Sequence, residues 1–211
     1  MRSTPARRLL MALSLLAVAA PAAAQPIQKV QLLAADAVPA LTWRSVASDP
    51  PGDVLHPHLP DARDFAYAFD PKTDLLWFKV STFEALPERW FGINVALDVD
   101  GNLENGMTWW GTNKFKFDRL ASAYLFMAEG YWQGLAGVAD SEAAGRGFLS
   151  NLSKDVKVAL DREKRAIFLG IPRSTLGGAT TVRAIATVGS MLVNNDDVPN
   201  QGYATIQLTS P

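Results

Sequence analysis

Apolar residues recur at every second position along most of the chain from Leu41 onward. Phe65, Tyr67 and Phe69 alternate with smaller residues, Asp70-Pro71-Lys72-Thr73-Asp74 interrupts them, and Leu76, Phe78 and Val80 then alternate with Trp77, Lys79 and Ser81. Two period-2 runs around a turn predict an antiparallel hairpin. Ile93, Val95 and Leu97 line one face of the next predicted strand, which ends at Asp98. Phe115 and Phe117 continue the pattern, followed by Tyr124 and Phe126 against Leu125 and Met127. Val156, Val158 and Leu160 lead into a turn at Asp161-Arg162-Glu163-Lys164, and Ile167, Leu169 and Ile171 return as partners. Val182, Ala184, Ala186 and Val188 form a further strand, and Ala204, Ile206 and Leu208 close the series.

This amounts to about nine or ten strands separated by polar turns, the signature of an all-β antiparallel sandwich or barrel. Helical periodicity is nearly absent. One helical turn is predicted after Pro172, at Arg173 to Leu176, ended by Gly177-Gly178. Residues 139 to 154 carry Gly145, Gly147 and small polar residues and read as a surface loop. Residues 25–40 are an Ala-rich lead-in, either a strand or an ordered arm, so the predicted domain runs from 41 to 209.

The N-terminus changes the picture of where this domain works. Arg2, Arg7 and Arg8 precede an uncharged apolar run from Leu9 to Ala20, and Ala22-Ala23-Ala24 supply small residues for cleavage. These are the three parts of a secretory signal peptide, residues 1–24. The run is short of the roughly 20 apolar residues of a membrane span. The expected product is periplasmic or secreted, begins at Gln25 and has no membrane span. Of the 20 basic and 21 acidic residues, the leader removes three arginines and no acid, which leaves a net charge of −4. Mild acidity without a basic run offers no footprint for nucleic acid. The chain has no cysteine, hence neither a disulfide nor a thiolate nucleophile.

Two acidic loops carry the most chemistry. In Leu97-Asp98-Val99-Asp100-Gly101-Asn102-Leu103-Glu104, the side chains of Asp98, Asp100 and Asn102 alternate at a strand exit. Hard oxygen donors in a tight turn suit Ca²⁺, which takes about six to eight oxygen ligands. The same spacing also suits a hairpin turn stabilised by Asx side chains. The loop is not an EF-hand, because Leu103 and Trp109 stand where that motif requires Gly and Glu. The second loop, Asp49-Pro50-Pro51-Gly52-Asp53, brackets a constrained turn with two carboxylates, and Asp61 and Asp64 follow it. One structural calcium site is expected on Asp98, Asp100 and Asn102, with Asp49, Asp53 or Asp118 as further ligands.

Taken in order, the Asp49–Asp53 loop, Asp61-Ala62-Arg63-Asp64-Phe65, Leu75-Leu76-Trp77-Phe78-Lys79-Val80 and the Leu97–Asn102 segment resemble the DOMON-like superfamily. That group includes family 9 carbohydrate-binding modules and C-terminal domains of some extracellular glycoside hydrolases. Phe117-Asp118 and the stretch from Asn195-Asp196-Asp197 to Gly202 are similar to its later pattern. The resemblance covers about residues 41–209. It implies a two-sheet β-sandwich of nine to eleven strands, structural calcium, and a ligand that is a sugar in some members and b-type haem in others.

Trp109-Trp110-Gly111-Thr112-Asn113 is the expected ligand segment. Indole faces stack on sugar rings, and the Asn113 amide suits hydroxyls. Adjacent strand residues point to opposite faces, so one indole is expected in the core. His56-Pro57-His58 is the only histidine pair and the alternative metal or haem ligand, with Met107, Met127 or Met191 as a second axial candidate. No G-x-S-x-G, P-loop or dinucleotide fingerprint occurs. The expected function is therefore a noncatalytic ligand-binding module, carbohydrate first. A haem-binding electron-transfer domain comes second and an extracellular hydrolase last.

Overall fold

The computed structural model describes residues 26–111, 113–190 and 193–208. The predicted leader and its cleavage point, Thr112 and Met191 lie outside them. The strands in chain order are β1 (Gln28–Lys29), β2 (Leu32–Leu33), β3 (Arg44–Ser48), β4 (Ala62–Asp70), β5 (Leu75–Thr82), β6 (Trp90–Asp98), β7 (Met107–Thr108), β8 (Lys116–Phe117), β9 (Arg119–Ala128), β10 (Tyr131–Asp140), β11 (Lys157–Asp161), β12 (Ala166–Pro172), β13 (Thr181–Gly189), β14 (Asn194–Val198) and β15 (Ala204–Gln207). Eleven of these have four residues or more. One five-residue helix, α1 (Ser141–Gly145), and short 3-10 turns at Ala35–Ala37 and Arg173–Leu176 complete the described elements.

The strands form an all-β sandwich. A seven-stranded sheet runs β1-β10-β9-β6-β13-β14, with β15 also on β13, and a six-stranded sheet runs β2-β11-β12-β5-β4-β3. All pairings in these two sheets are antiparallel except β2 on β11. The predicted hairpin is present, with Phe65 opposite Val80, Tyr67 opposite Phe78 and Phe69 opposite Leu76. The period-2 sets fill the space between the sheets: Phe65, Phe78, Val80, Phe91, Ile93, Val95, Leu125, Ile167, Leu169 and Val188 are all buried there. Burying a side chain of this size stabilises by about 1.5–3 kcal/mol.

Both outer faces are also covered. On the six-stranded sheet, Trp77, Ala159, Ala166 and Phe168 form a second layer beneath Leu33, Val38, Leu41 and Trp43. The lead-in therefore belongs to the sandwich. It runs from the edge of one sheet at β1 to the edge of the other at β2 and then lies across the second. On the seven-stranded sheet, residues 99–118 and 141–150 fold back over Ala96, Leu120, Ala139 and Ile185, bringing Trp109, Phe115, Phe117 and Leu149 with them. Phe115 and Phe117 are thus buried outside the main core, on the little β7-β8 ribbon.

Two strands depart from the sequence reading. Part of the predicted 139–154 loop is regular: β10 runs to Asp140, whose carboxylate accepts the Ala143 N–H at 2.7 Å and caps α1. Gly134 and Gly137 interrupt the apolar alternation of β10, which hides it. Gly137 is required by close approach, because a Cβ there would collide with Ser150 lying on the outer face. The other is β14, whose sequence is Asn-Asn-Asp-Asp-Val and whose last four residues are buried.

Candidate functional site

The polar strand β14 is the meeting place of two loops. Its backbone pairs with β13, with Thr187 opposite Asp197 and Val188 opposite Asp196. Asn195 ties down the loop before β4: its side-chain oxygen accepts the His56 N–H at 2.7 Å, its amide donates to the Pro60 carbonyl at 3.0 Å, and its backbone carbonyl accepts the Leu55 N–H at 3.1 Å. Asp196 accepts the Ala62 N–H at 2.6 Å. Asp197 accepts the Trp109 indole N–H at 2.9 Å, on the opposite side of the strand. Buried polar groups need such partners, since a group left unpaired costs about 1–3 kcal/mol. The backbone of a five-residue edge strand cannot supply them all.

Four carboxylates converge on one side of β14. Asp49 follows β3, Asp53 lies in the Pro-Gly turn, Asp61 precedes β4, and Asp196 comes from β14; ligand oxygens of all four lie within 4.8 Å of one another. Asp49, Asp61 and Asp196 are buried. Gly52, in the left-handed region at φ 91°, turns its N–H onto Asp61 at 2.7 Å. Asn200 donates to Asp53. Asp49 Oδ2 and Asp61 Oδ1 are buried and accept nothing. Among the described residues, no lysine or arginine forms an ion pair with any of the four. A cavity of about 20 Å³ adjoins the group, bounded by Asp53, Asn195, Asp196, Asp197 and Asn200. That is room for a single water-sized occupant.

The electrostatics reflect the crowding. Burial, with the facing charges of Asp53 and Asp61, pushes the Asp49 carboxyl up to about 7. Burial is also the first cause at Asp196, joined by the charges of Asp49, Asp53 and Asp61; against the Ala62 hydrogen bond, they push it up to about 8. Asp61 is raised as well, chiefly by burial. A divalent cation among these oxygens would replace repulsion with attraction and satisfy the two orphaned acceptors.

The six residues predicted as one metal site divide between two places. Asp49 and Asp53 belong to the group just described. Asp98, Asp100 and Asp118 form a second group, again within 4.8 Å. There, most of the carboxylate oxygens accept from nearby donors. Asp98 accepts Gly101 N–H at 2.8 Å and pairs with Arg183 at 3.1 Å. Asp100 accepts the Asn102 N–H at 2.8 Å and the Asn105 amide at 2.7 Å, and Asp118 accepts Val99 N–H at 3.0 Å. Asn102, in the same loop, accepts the Glu104 N–H at 3.1 Å. Burial, with the charges of Asp100 and Asp98 beside it, raises the Asp118 carboxyl, so this group too is one that could hold an ion.

The predicted ligand segment also divides. Trp109 is 3% exposed, held by Asp197 and packed edge-on to Phe117 at 5.9 Å between ring centres. Trp110 is 46% exposed and lies 5.6 Å from Trp109. Asn113 is buried and donates to the carbonyls of Pro199 and Gly202, at 3.3 and 2.8 Å, fixing the turn after β14. Gly111 permits this path, since a Cβ there would collide with the Asp197 carboxylate and the Trp109 indole nitrogen.

Trp110 borders a cleft of about 530 Å³ on the outer face of the seven-stranded sheet, lined also by Tyr124, Leu135, Ala144, Leu149 and Asn194. A row of buried, uncharged polar groups extends inward from Tyr124 and Asn194 in its lining. Asn94 donates to the Tyr124 hydroxyl and, at 2.8 Å, to Asn194, while Ser122 donates to Asn94 at 2.7 Å. Burial pushes the Tyr124 phenol up to about 12. Sequence reasoning missed this row, because Asn94 and Ser122 sit singly inside apolar strands. It also left Asp61 and Asp196 out of the ligand set. The signal for Asp196 was the density of Asx residues at 194–197, where no alternation marks a strand.

His56 and His58 are exposed, and both metal-capable groups among the described residues consist of aspartates alone. Met107 packs beneath the outer cluster, while Met127 is exposed. Among the described residues, no helix is long and apolar enough to cross a membrane. Comparison with protein-family models, with curated proteins and with solved structures returns no match.

Proposed function

We propose that the protein is an exported, noncatalytic binding module, stabilised by one Ca²⁺ ion, that takes a neutral hydroxyl-bearing ligand of the carbohydrate class. The observation that carries the reading is the exposed Trp110 indole beside a cleft that Tyr124 and Asn194 also line. An indole face stacks on the apolar face of a sugar ring, and amides and phenols bond its hydroxyls. Small-molecule sites have this make-up, mostly apolar with a few placed polar groups. The cleft residues named above carry no formal charge, which favours a neutral ligand over an anionic one. They include no carboxylate, histidine or lysine placed to move a proton near neutral pH, and this favours binding over hydrolysis. The reading agrees with the resemblance to family 9 carbohydrate-binding modules.

The cation belongs to Asp49, Asp53, Asp61 and Asp196. Four hard oxygen donors of flexible geometry suit Ca²⁺ better than Mg²⁺, which demands near-octahedral order. Extracellular modules bind Ca²⁺ with dissociation constants of about 10⁻⁴–10⁻³ M, a range suited to an exported protein.

The test of the ligand is calorimetric titration of the mature protein in Ca²⁺ against a panel of neutral and acidic oligosaccharides. A neutral member should bind, and Trp110→Ala should reduce its affinity at least tenfold. Binding that is indifferent to Trp110→Ala, or a panel with no binder, would overturn the reading.

A further inference from the structure

The cation group and the cleft share one short strand, and they use consecutive residues of it. Asp196 supplies a carboxylate to the group of four, and Asn195 ties the same side of β14 to the loop that carries Asp53 and Asp61. Asn194 borders the cleft and accepts from the buried Asn94 behind it. Asp197 holds the Trp109 indole, against which Trp110 packs. Two unpartnered oxygens, on Asp49 and Asp61, point independently to a cation on the first side.

Resting on the Ca²⁺ reading above, we infer that Asn194 and Asp197 are positioning residues that couple cation binding to the shape of the cleft. A strand of five residues moves as a unit. Without a cation, the crowding of four carboxylic groups within 4.8 Å opposes close approach of β14 to the loop that joins β3 to β4. The ladder to β13, whose register already shifts at Val188 and Gly189, holds the strand against this. With Ca²⁺, Asp196 is drawn toward Asp49 and Asp61, and the strand carries Asn194 and Asp197 with it. The Trp109–Trp110 pair and the Asn94–Tyr124–Asn194 row are then seated together. A cleft set in advance binds more tightly, because ordering it on binding costs affinity. By linkage, a cleft ligand raises Ca²⁺ affinity by the same factor that Ca²⁺ raises its own.

The test reads the six tryptophans separately. The mature protein is labelled with 5-fluorotryptophan, its fluorine resonances are assigned by single Trp→Phe variants, and it is titrated with CaCl₂ from EDTA. The melting temperature is followed in parallel. Trp109 and Trp110 should shift with the midpoint at which Ca²⁺ raises the melting temperature. Trp43 and Trp77, on the outer face of the other sheet, should not move. Asp197→Ala should keep the rise in melting temperature and lose most of the Trp110 shift. Asp197→Asn, which retains an acceptor for the Trp109 N–H, should restore it. If Ca²⁺ stabilises the protein while Trp109 and Trp110 stay still, the coupling is wrong and the cation site stands. If Ca²⁺ neither stabilises the protein nor moves any resonance, both fall.

Discussion

Trp109 and Trp110 are neighbours in sequence and differ in exposure from 3% to 46%. Strand alternation is not the cause, since both lie beyond β7 and both rings pack on Phe117, at 5.9 and 5.5 Å between centres; Trp109 lies deeper in the same cluster. The local environment decides which is which. The Asp197 carboxylate can satisfy an indole N–H only in the buried layer above β13 and β14, and Trp109 is the one that reaches it. Trp109→Ala should therefore cost about 3–5 kcal/mol of stability, read as a fall of the order of 10 °C in thermal melts at about 2–4 °C per kcal/mol. Trp110→Ala should leave the melting temperature within a few degrees. Equal destabilisation by both would make the pair core and remove the aromatic wall of the proposed site.

At the level of elements, β14 is a strand with almost no strand-like sequence. Asn194-Asn195-Asp196-Asp197 extends along the edge of β13 because each side chain finds a partner outside the ladder. Its acids give the element a definite pH dependence. The carboxyls of Asp49 and Asp196 are raised to about 7 and about 8 in the folded state, while an unfolded aspartate titrates near about 3.9. The folded chain thus binds more protons than the unfolded chain between these values. In EDTA, this contribution to stability falls as pH rises from about 4 to about 8. Ca²⁺ competes with the same protons, so its stabilising effect grows over the same interval. Melting temperatures in EDTA and in Ca²⁺ should lie close together at pH 5 and well apart at pH 8. At a hundredfold excess of Ca²⁺ over its dissociation constant, the gain is about 2.7 kcal/mol. Asp196→Asn should abolish most of the gap, and a gap that narrowed with rising pH would contradict the assignment.

For the whole molecule, the notable feature is that both sheets carry a second apolar layer on their outer faces. The lead-in forms one of these layers and also adds a short strand to each sheet. Removing residues 26–40 should uncover Trp77 and Phe168. Lower thermal stability and increased binding of a hydrophobic dye would report this, and an unchanged melt would show the segment to be dispensable. The opposite outer layer forms the cleft. Residues 99–118 and 141–150 rise from the seven-stranded sheet and leave a gap between them over Tyr124 and Asn194.

The alternation of Phe65, Tyr67, Phe78, Val80, Ile93, Val95, Ile167 and Leu169 was enough by itself to determine an all-β antiparallel fold, and left sandwich and barrel open. A half-buried strand requires period 2, and a register slip of one residue would turn every one of these side chains to the other face. The predicted turns at Asp70–Asp74 and Asp161–Lys164 were legible for the same local reason, as was the Arg173–Leu176 turn. Acidic loops were legible as metal-capable chemistry, but their grouping was not. Asp61 and Asp196 are 135 positions apart and meet only because β14 returns along the edge beside the loop before β4. Conversely, Asp98, Asp100 and Asn102 are close in sequence, and each accepts a backbone N–H two or three residues further on. Pattern along a chain reports which face a residue must occupy. Which residues share a site depends on how distant strands are ordered, and that was decided only when the sheets assembled.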